Sequence, residues 1–89
     1  MRFAKVDKNH KTIVDALRSI GVSVQSLADI GHGCPDIVAA KGSMTWLIEI
    51  KGPKGKLTPD QIKFIDAWRG TVHIVRTVDE AFKLVGVLT

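Results

Sequence analysis

Eighty-nine residues are enough for one small domain, and a hydrophobic content of 45% supports a packed core rather than a disordered chain. Thirteen Lys and Arg against nine acids give a net charge of +4 and a pI near 9.5, which suits a polyanionic partner such as nucleic acid, although many small basic domains bind none. The single Cys34 excludes an internal disulfide and a Cys-rich zinc pattern and fits an intracellular, reducing setting. The first residues lack the apolar stretch of an export signal, and no apolar run approaches the roughly 20 residues that span a bilayer.

The elements follow in order. Asp7 or Asn9 can cap a first helix whose apolar positions Ile13, Val14, Ala16, Leu17 and Ile20 keep helical spacing, with Gly21 suited to its C-terminal stop. Residues 22–27 alternate apolar and polar, as a half-buried strand does, and a loop with two glycines leads to Pro35. Proline cannot donate to a sheet ladder, so Pro35 sets Asp36 at the mouth of a strand. Residues 38–40 and 46–50 are short apolar runs around Gly42-Ser43, the pattern of an antiparallel hairpin with a type II′ turn.

Gly52-Pro53-Lys54-Gly55-Lys56 is a basic loop whose spacing does not meet the P-loop pattern, and it reads equally well as a solvated connector. Thr58-Pro59-Asp60-Gln61 is a helix start with a capping box, followed by an expected buried stripe of Ile62, Ile65, Trp68 and Phe64, and by Gly70 as the stop. Trp46 and Trp68 read as core or interface residues rather than base-stacking platforms. Residues 71–76 form a strand, and Thr77-Val78-Asp79-Glu80 repeats the capping box ahead of a last short helix. The order is helix, strand, strand, strand, helix, strand, helix, a single α/β domain over residues 1–89 with a mixed sheet flanked by helices. A core this small makes a homodimer a reasonable expectation.

The hairpin register carries the chemistry. Pairing Lys41 with Met44 and stepping back along both strands sets Asp36 opposite Glu49, and alternation puts Lys51 on the face of Glu49. Opposed carboxylates about 5 Å apart at Cβ repel unless something positive lies between them. A divalent cation would do so, with the Ile50 carbonyl as a further oxygen donor, and oxygen donors suit Mg²⁺ or Mn²⁺ better than zinc. A surface charge clash relieved by Lys51 accounts for the same residue types. A hydrolytic nuclease follows from the first reading, and a passive metal site is equally compatible with it. Lys54 and Lys56 are set to meet flanking phosphates.

Pro35-Asp36 followed by Glu49-Ile50-Lys51 resembles the motif of the PD-(D/E)xK nuclease superfamily. Gly33-Cys34-Pro35-Asp36, Ile48-Glu49-Ile50-Lys51-Gly52 and Lys56-Leu57-Thr58-Pro59-Asp60-Gln61, with the closing Thr71 to Ala81 segment, more narrowly resemble the VRR-NUC family. That resemblance implies a restriction-endonuclease-like αβββαβ core followed by a further helix, and an endonuclease dependent on Mg²⁺ or Mn²⁺. Asp36, Glu49 and the Ile50 carbonyl would hold the metal, Lys51 would position water or stabilise the transition state, and Gln61 would lie near the site. Short standalone members, common in phages, resemble Holliday-junction resolvases that cut branched DNA as homodimers, and this implies an intracellular protein of a phage-infected bacterium. Related resolvases carry a Glu in the first turn of helix one, where this chain has His10. Either His10 or Asp7, about one turn earlier, is the candidate third residue. A nuclease without junction preference and a non-catalytic DNA-binding module are the alternatives.

Overall fold

The computed structural model describes residues 8–87. Along the chain run α1 (His10–Ser19), β1 (Ser23–Ser26), β2 (Ile37–Lys41), β3 (Met44–Ile50), α2 (Pro59–Ala67), β4 (Val72–Val75) and α3 (Val78–Leu84), the order expected from the sequence. The strands form one mixed sheet in the order β1-β2-β3-β4, antiparallel except for β3 and β4. Helix α2 is the crossover that lets β4 run parallel to β3. No helix among the described residues is long and apolar enough to cross a membrane.

The hairpin has the expected register, with Lys41 paired to Met44 and Ile37 to Ile48. Gly42 takes φ 62° while Ser43 keeps a negative φ, as a type II′ turn requires. Trp46, Ile48 and Ile50 then share one face of β3, and with Ile37, Ala39 and Val75 they pack against Ile13, Val14 and Leu17 of α1 and Ala81 of α3. Helix α1 ends in a Schellman motif, in which the Gly21 and Val22 amides donate to the Arg18 and Leu17 carbonyls, and Gly21 supplies the left-handed residue at φ 84°. Trp46 is in the core, as expected.

Four local expectations are corrected. Asn9 precedes α1 but makes no side-chain cap, because its amide is spent on the Lys51 and Arg76 carbonyls. Asp7, the other candidate cap, lies outside the described residues. Thr77 caps α3 by accepting from the Glu80 amide, yet Glu80 Oε1 accepts from Arg76 N, so the second half of that capping box is missing. The α2 stripe is not buried, since Ile62 and Trp68 are each 47% exposed and Phe64 and Ile65 are half-buried. Amphipathic spacing marks an apolar side without specifying what covers it, and α1 and α3 occupy the other face of the sheet. Finally, Trp68 rather than Gly70 ends α2, leaving the helical region to stack on Phe64 at 5.3 Å between ring centroids.

Candidate active site

The face of β3 opposite the core carries Leu47 and Glu49, paired with Val72 and Ile74 of β4. Glu49 sits one residue from the end of the strand and is only 3% exposed, an unusual burial for a carboxylate. Asp36 reaches it from the other strand. The Asp36 backbone carbonyl accepts from Leu27 N at 2.8 Å, which carries the β1–β2 pairing one step past Ile37. Its Oδ2 accepts from Ile50 N at 2.7 Å, tying the two strand mouths together. In an extended strand a residue's amide and carbonyl point to the same side, so the Ile50 carbonyl also faces the Asp36 edge.

Lys51 follows directly and is 8% exposed, with Nζ 3.7 Å from Glu49 Oε2. Gln61 Nε2 donates to the same Glu49 oxygen at 3.0 Å. Gln61 also completes the α2 capping box, its Oε1 accepting from Thr58 N at 2.9 Å while its amide donates to Thr58 Oγ1. The two roles expected as alternatives for Gln61 therefore coexist, because the side-chain amide has one end for each.

Electrostatics mark the pair as held under tension. Burial, then the Asp36 charge and the contact with the Asp36 carboxyl, push the Glu49 carboxyl from its ordinary 4.5 up to about 8, against the opposing pull of Lys51. The Cys34 thiol is pushed up as well, first by burial and then by Glu49 and Asp36. A thiol held protonated beside two acids is a poor nucleophile.

Gly33 fixes the approach of this loop. It takes φ 79°, and a Cβ there would run into the Asp60 backbone carbonyl, so the chain passes directly over the start of α2. The same contact holds Asp36 and Gln61 in reach of Glu49. Lys54 and Lys56 are both exposed on the loop that follows Lys51. His10 opens α1, half-buried, and lines a cavity of about 300 Å³ with Val14, Arg18, Val24 and Ile37, whose lining includes neither acid. Asp7 lies outside the described residues. Among the described residues no group of three or more His, Cys, Asp and Glu converges as a metal cage.

Three residues at the site were not read as part of it from the sequence. Cys34 is close enough to both acids to feel their charge, Asn9 bridges two strand ends, and Arg76 holds the loop after Lys51. Only Cys34 carried a signal, its position two residues before Asp36.

A helix-flanked mixed sheet with buried Glu49 and Lys51 beside half-buried Asp36 at the mouth of its central hairpin is compatible with a restriction-endonuclease-like core. The VRR-NUC domain model matches residues 4–78, and the chain belongs to the VRR-NUC family, a nuclease domain of the PD-(D/E)xK type. Neither a curated protein nor a solved structure matches the chain.

Proposed function

We propose that this nuclease domain is an endodeoxyribonuclease dependent on Mg²⁺ or Mn²⁺ that cuts branched DNA, Holliday junctions included, as a homodimer. The observation that carries the metal-dependent reading is the Asp36–Glu49 pair, two carboxylates brought together in a buried setting with one ammonium beside them. Such an arrangement is costly without a further cation and useful with one. Asp36, Glu49 and the Ile50 carbonyl form an oxygen donor set that fits a hard divalent ion.

When bound, the cation supplies a Lewis acid that lowers the pKa of a water and screens the phosphate. Lys51 sits beside Glu49, where its ammonium stabilises charge that builds on the phosphate oxygens as water adds to phosphorus and the leaving alkoxide departs with a proton. Gln61 holds Glu49 Oε2 in a fixed orientation. Lys54 and Lys56 meet neighbouring phosphates, and of the two candidates for a third residue Asp7 is favoured over His10, which lines a cavity that holds neither Asp36 nor Glu49.

Support for a homodimer comes from α2, whose Ile62 and Trp68 are exposed beside the stacked Phe64. The resemblance of the motif segments to resolvase-like members of the family is the basis for the branched-substrate reading and for an intracellular role in a phage-infected bacterium. An intact Asp36, Glu49 and Lys51 argues against a DNA-binding module that has lost its chemistry.

The test is cleavage of linear, flap and four-way-junction DNA of equal sequence with Mg²⁺ and with Mn²⁺. Preferential cutting of the junction by a dimer is the expected result. Equal cutting of linear and branched DNA would leave a general nuclease.

A further inference from the structure

Lys51 is followed by a turn that the sequence presents as a flexible connector. Gly55 N donates to Gly52 O at 3.0 Å with Pro53 in the second position, a β-turn in which proline presets the first central residue. The turn lies against the lysine itself. A Cβ on Gly55 would stand 3.4 Å from Lys51 Cδ and 3.3 Å from Gly52 N, so the glycine backbone rests on the aliphatic stem and leaves the ammonium turned toward Glu49.

The turn is held by a residue of the next strand end. Arg76 Nη1 donates to Gly52 O at 2.6 Å and to Gly55 O at 2.8 Å, spending one face of the guanidinium on both ends of the turn. The Arg76 backbone is fixed in turn. Its carbonyl accepts from Asn9 Nδ2 at 2.7 Å, and the other proton of the same amide goes to Lys51 O at 3.0 Å. Its N–H donates to Glu80 Oε1 at 2.6 Å. One side-chain amide ahead of α1 thus clamps the end of β3 to the end of β4.

We propose that Arg76 and Asn9 are positioning residues for Lys51. Arg76 pins the Gly52–Gly55 turn onto the lysine stem, and Asn9 locks the backbone of Lys51 to that of Arg76. A lysine on a flexible four-carbon stem has no preferred direction of its own, and this enclosure supplies one. Residue types fit the task. The two protons of Arg76 Nη1 serve the two turn carbonyls, and two carbonyls facing Asn9 need an amide with two protons, which an Asp does not have. The role rests on Lys51 acting at the phosphate, as proposed above.

Two readouts on the full chain separate this role from that reading. The first is acetylation by limiting acetic anhydride, followed by mass spectrometry on metal-free protein. In wild type Lys51 reacts far more slowly than exposed Lys54, and Arg76→Ala and Asn9→Asp each raise its labelling ~10-fold while exposed Lys63 is unchanged, reporting an intact fold. Gly55→Ala, which lifts the turn without altering either clamp residue, gives the same direction. The second is single-turnover cleavage at saturating DNA, which falls at least ~10-fold in these variants because the reacting group is displaced. DNA affinity and its salt slope stay as in wild type, since no phosphate contact is removed. Unchanged Lys51 labelling in both the Arg76 and Asn9 variants would overturn the proposal. So would weaker DNA binding with a shallower salt slope at an unaltered rate, which would make Arg76 a phosphate contact instead. Raised labelling together with a wild type that cuts no DNA would uphold the positioning role and refute the nuclease reading alone.

Discussion

Replacing Glu49 by Gln tests whether the fold carries the acid pair at a cost. The Glu49 carboxyl is raised from 4.5 to about 8 in the folded protein, so between these values the folded state keeps a proton that the unfolded chain has released. Stability from this group is full below pH 4.5 and is lost as pH rises through about 8. At about 1.36 kcal/mol per pKa unit the burden at alkaline pH is at most about 5 kcal/mol. Gln removes it while keeping the shape, since one end still accepts from Gln61. In EDTA at pH 8.5 the variant should melt at least about 10 °C above wild type, using ~4–8 °C per kcal/mol for a domain of this size, and near pH 4.5 the two should converge. Adding Mg²⁺ or Mn²⁺ should raise the wild-type melting temperature and leave the variant unmoved. A variant less stable than wild type at pH 8.5 in EDTA would refute the reasoning, because the buried carboxylate would then be favourable in its own right.

Gly33→Ala forces a Cβ into the Asp60 carbonyl at a left-handed φ and should cost more than about 2 kcal/mol in urea unfolding. If the loss is under about 0.5 kcal/mol, the loop does not pack on α2 as described. Lys54→Ala and Lys56→Ala should each reduce the slope of log affinity against log salt by about one, with little change in the maximal cleavage rate. Trp68→Ser should cost the monomer on the order of 1–2 kcal/mol, since about half of the ring is covered and it stacks on Phe64, and should shift sedimentation from dimer to monomer if α2 forms the dimer contact.

The hairpin and its acid pair were legible because local rules specified them. Gly42 dictated the turn, the turn set the register, and that register, continued one step past Ile37 and Ile48, points Asp36 at Glu49. Helix α2 was legible at its start for the same reason, Thr58, Pro59 and Gln61 being four-residue chemistry. What escaped was nonlocal. Asn9 looks like a cap in sequence, and only the meeting of β3 and β4 beside it supplies two carbonyls 42 and 67 residues away. Arg76 looks like the end of a strand until the Gly52–Gly55 turn folds back over Lys51. The apolar side of α2 was visible, but its exposure was not, because a stripe of Ile62, Ile65 and Trp68 has the same spacing whether a core or solvent covers it.

The central claim is that Asp36, Glu49 and Lys51 form one metal-dependent cleavage site. Its most direct test is single-turnover cleavage of a four-way junction by wild type and by Asp36→Asn, with junction binding and melting temperature measured on the same samples. The account expects wild type to cut only with Mg²⁺ or Mn²⁺ present, and Asp36→Asn to bind the junction and remain folded while cutting at least ~10²-fold more slowly. Cleavage by Asp36→Asn at the wild-type rate, or cleavage by wild type in EDTA, would contradict it.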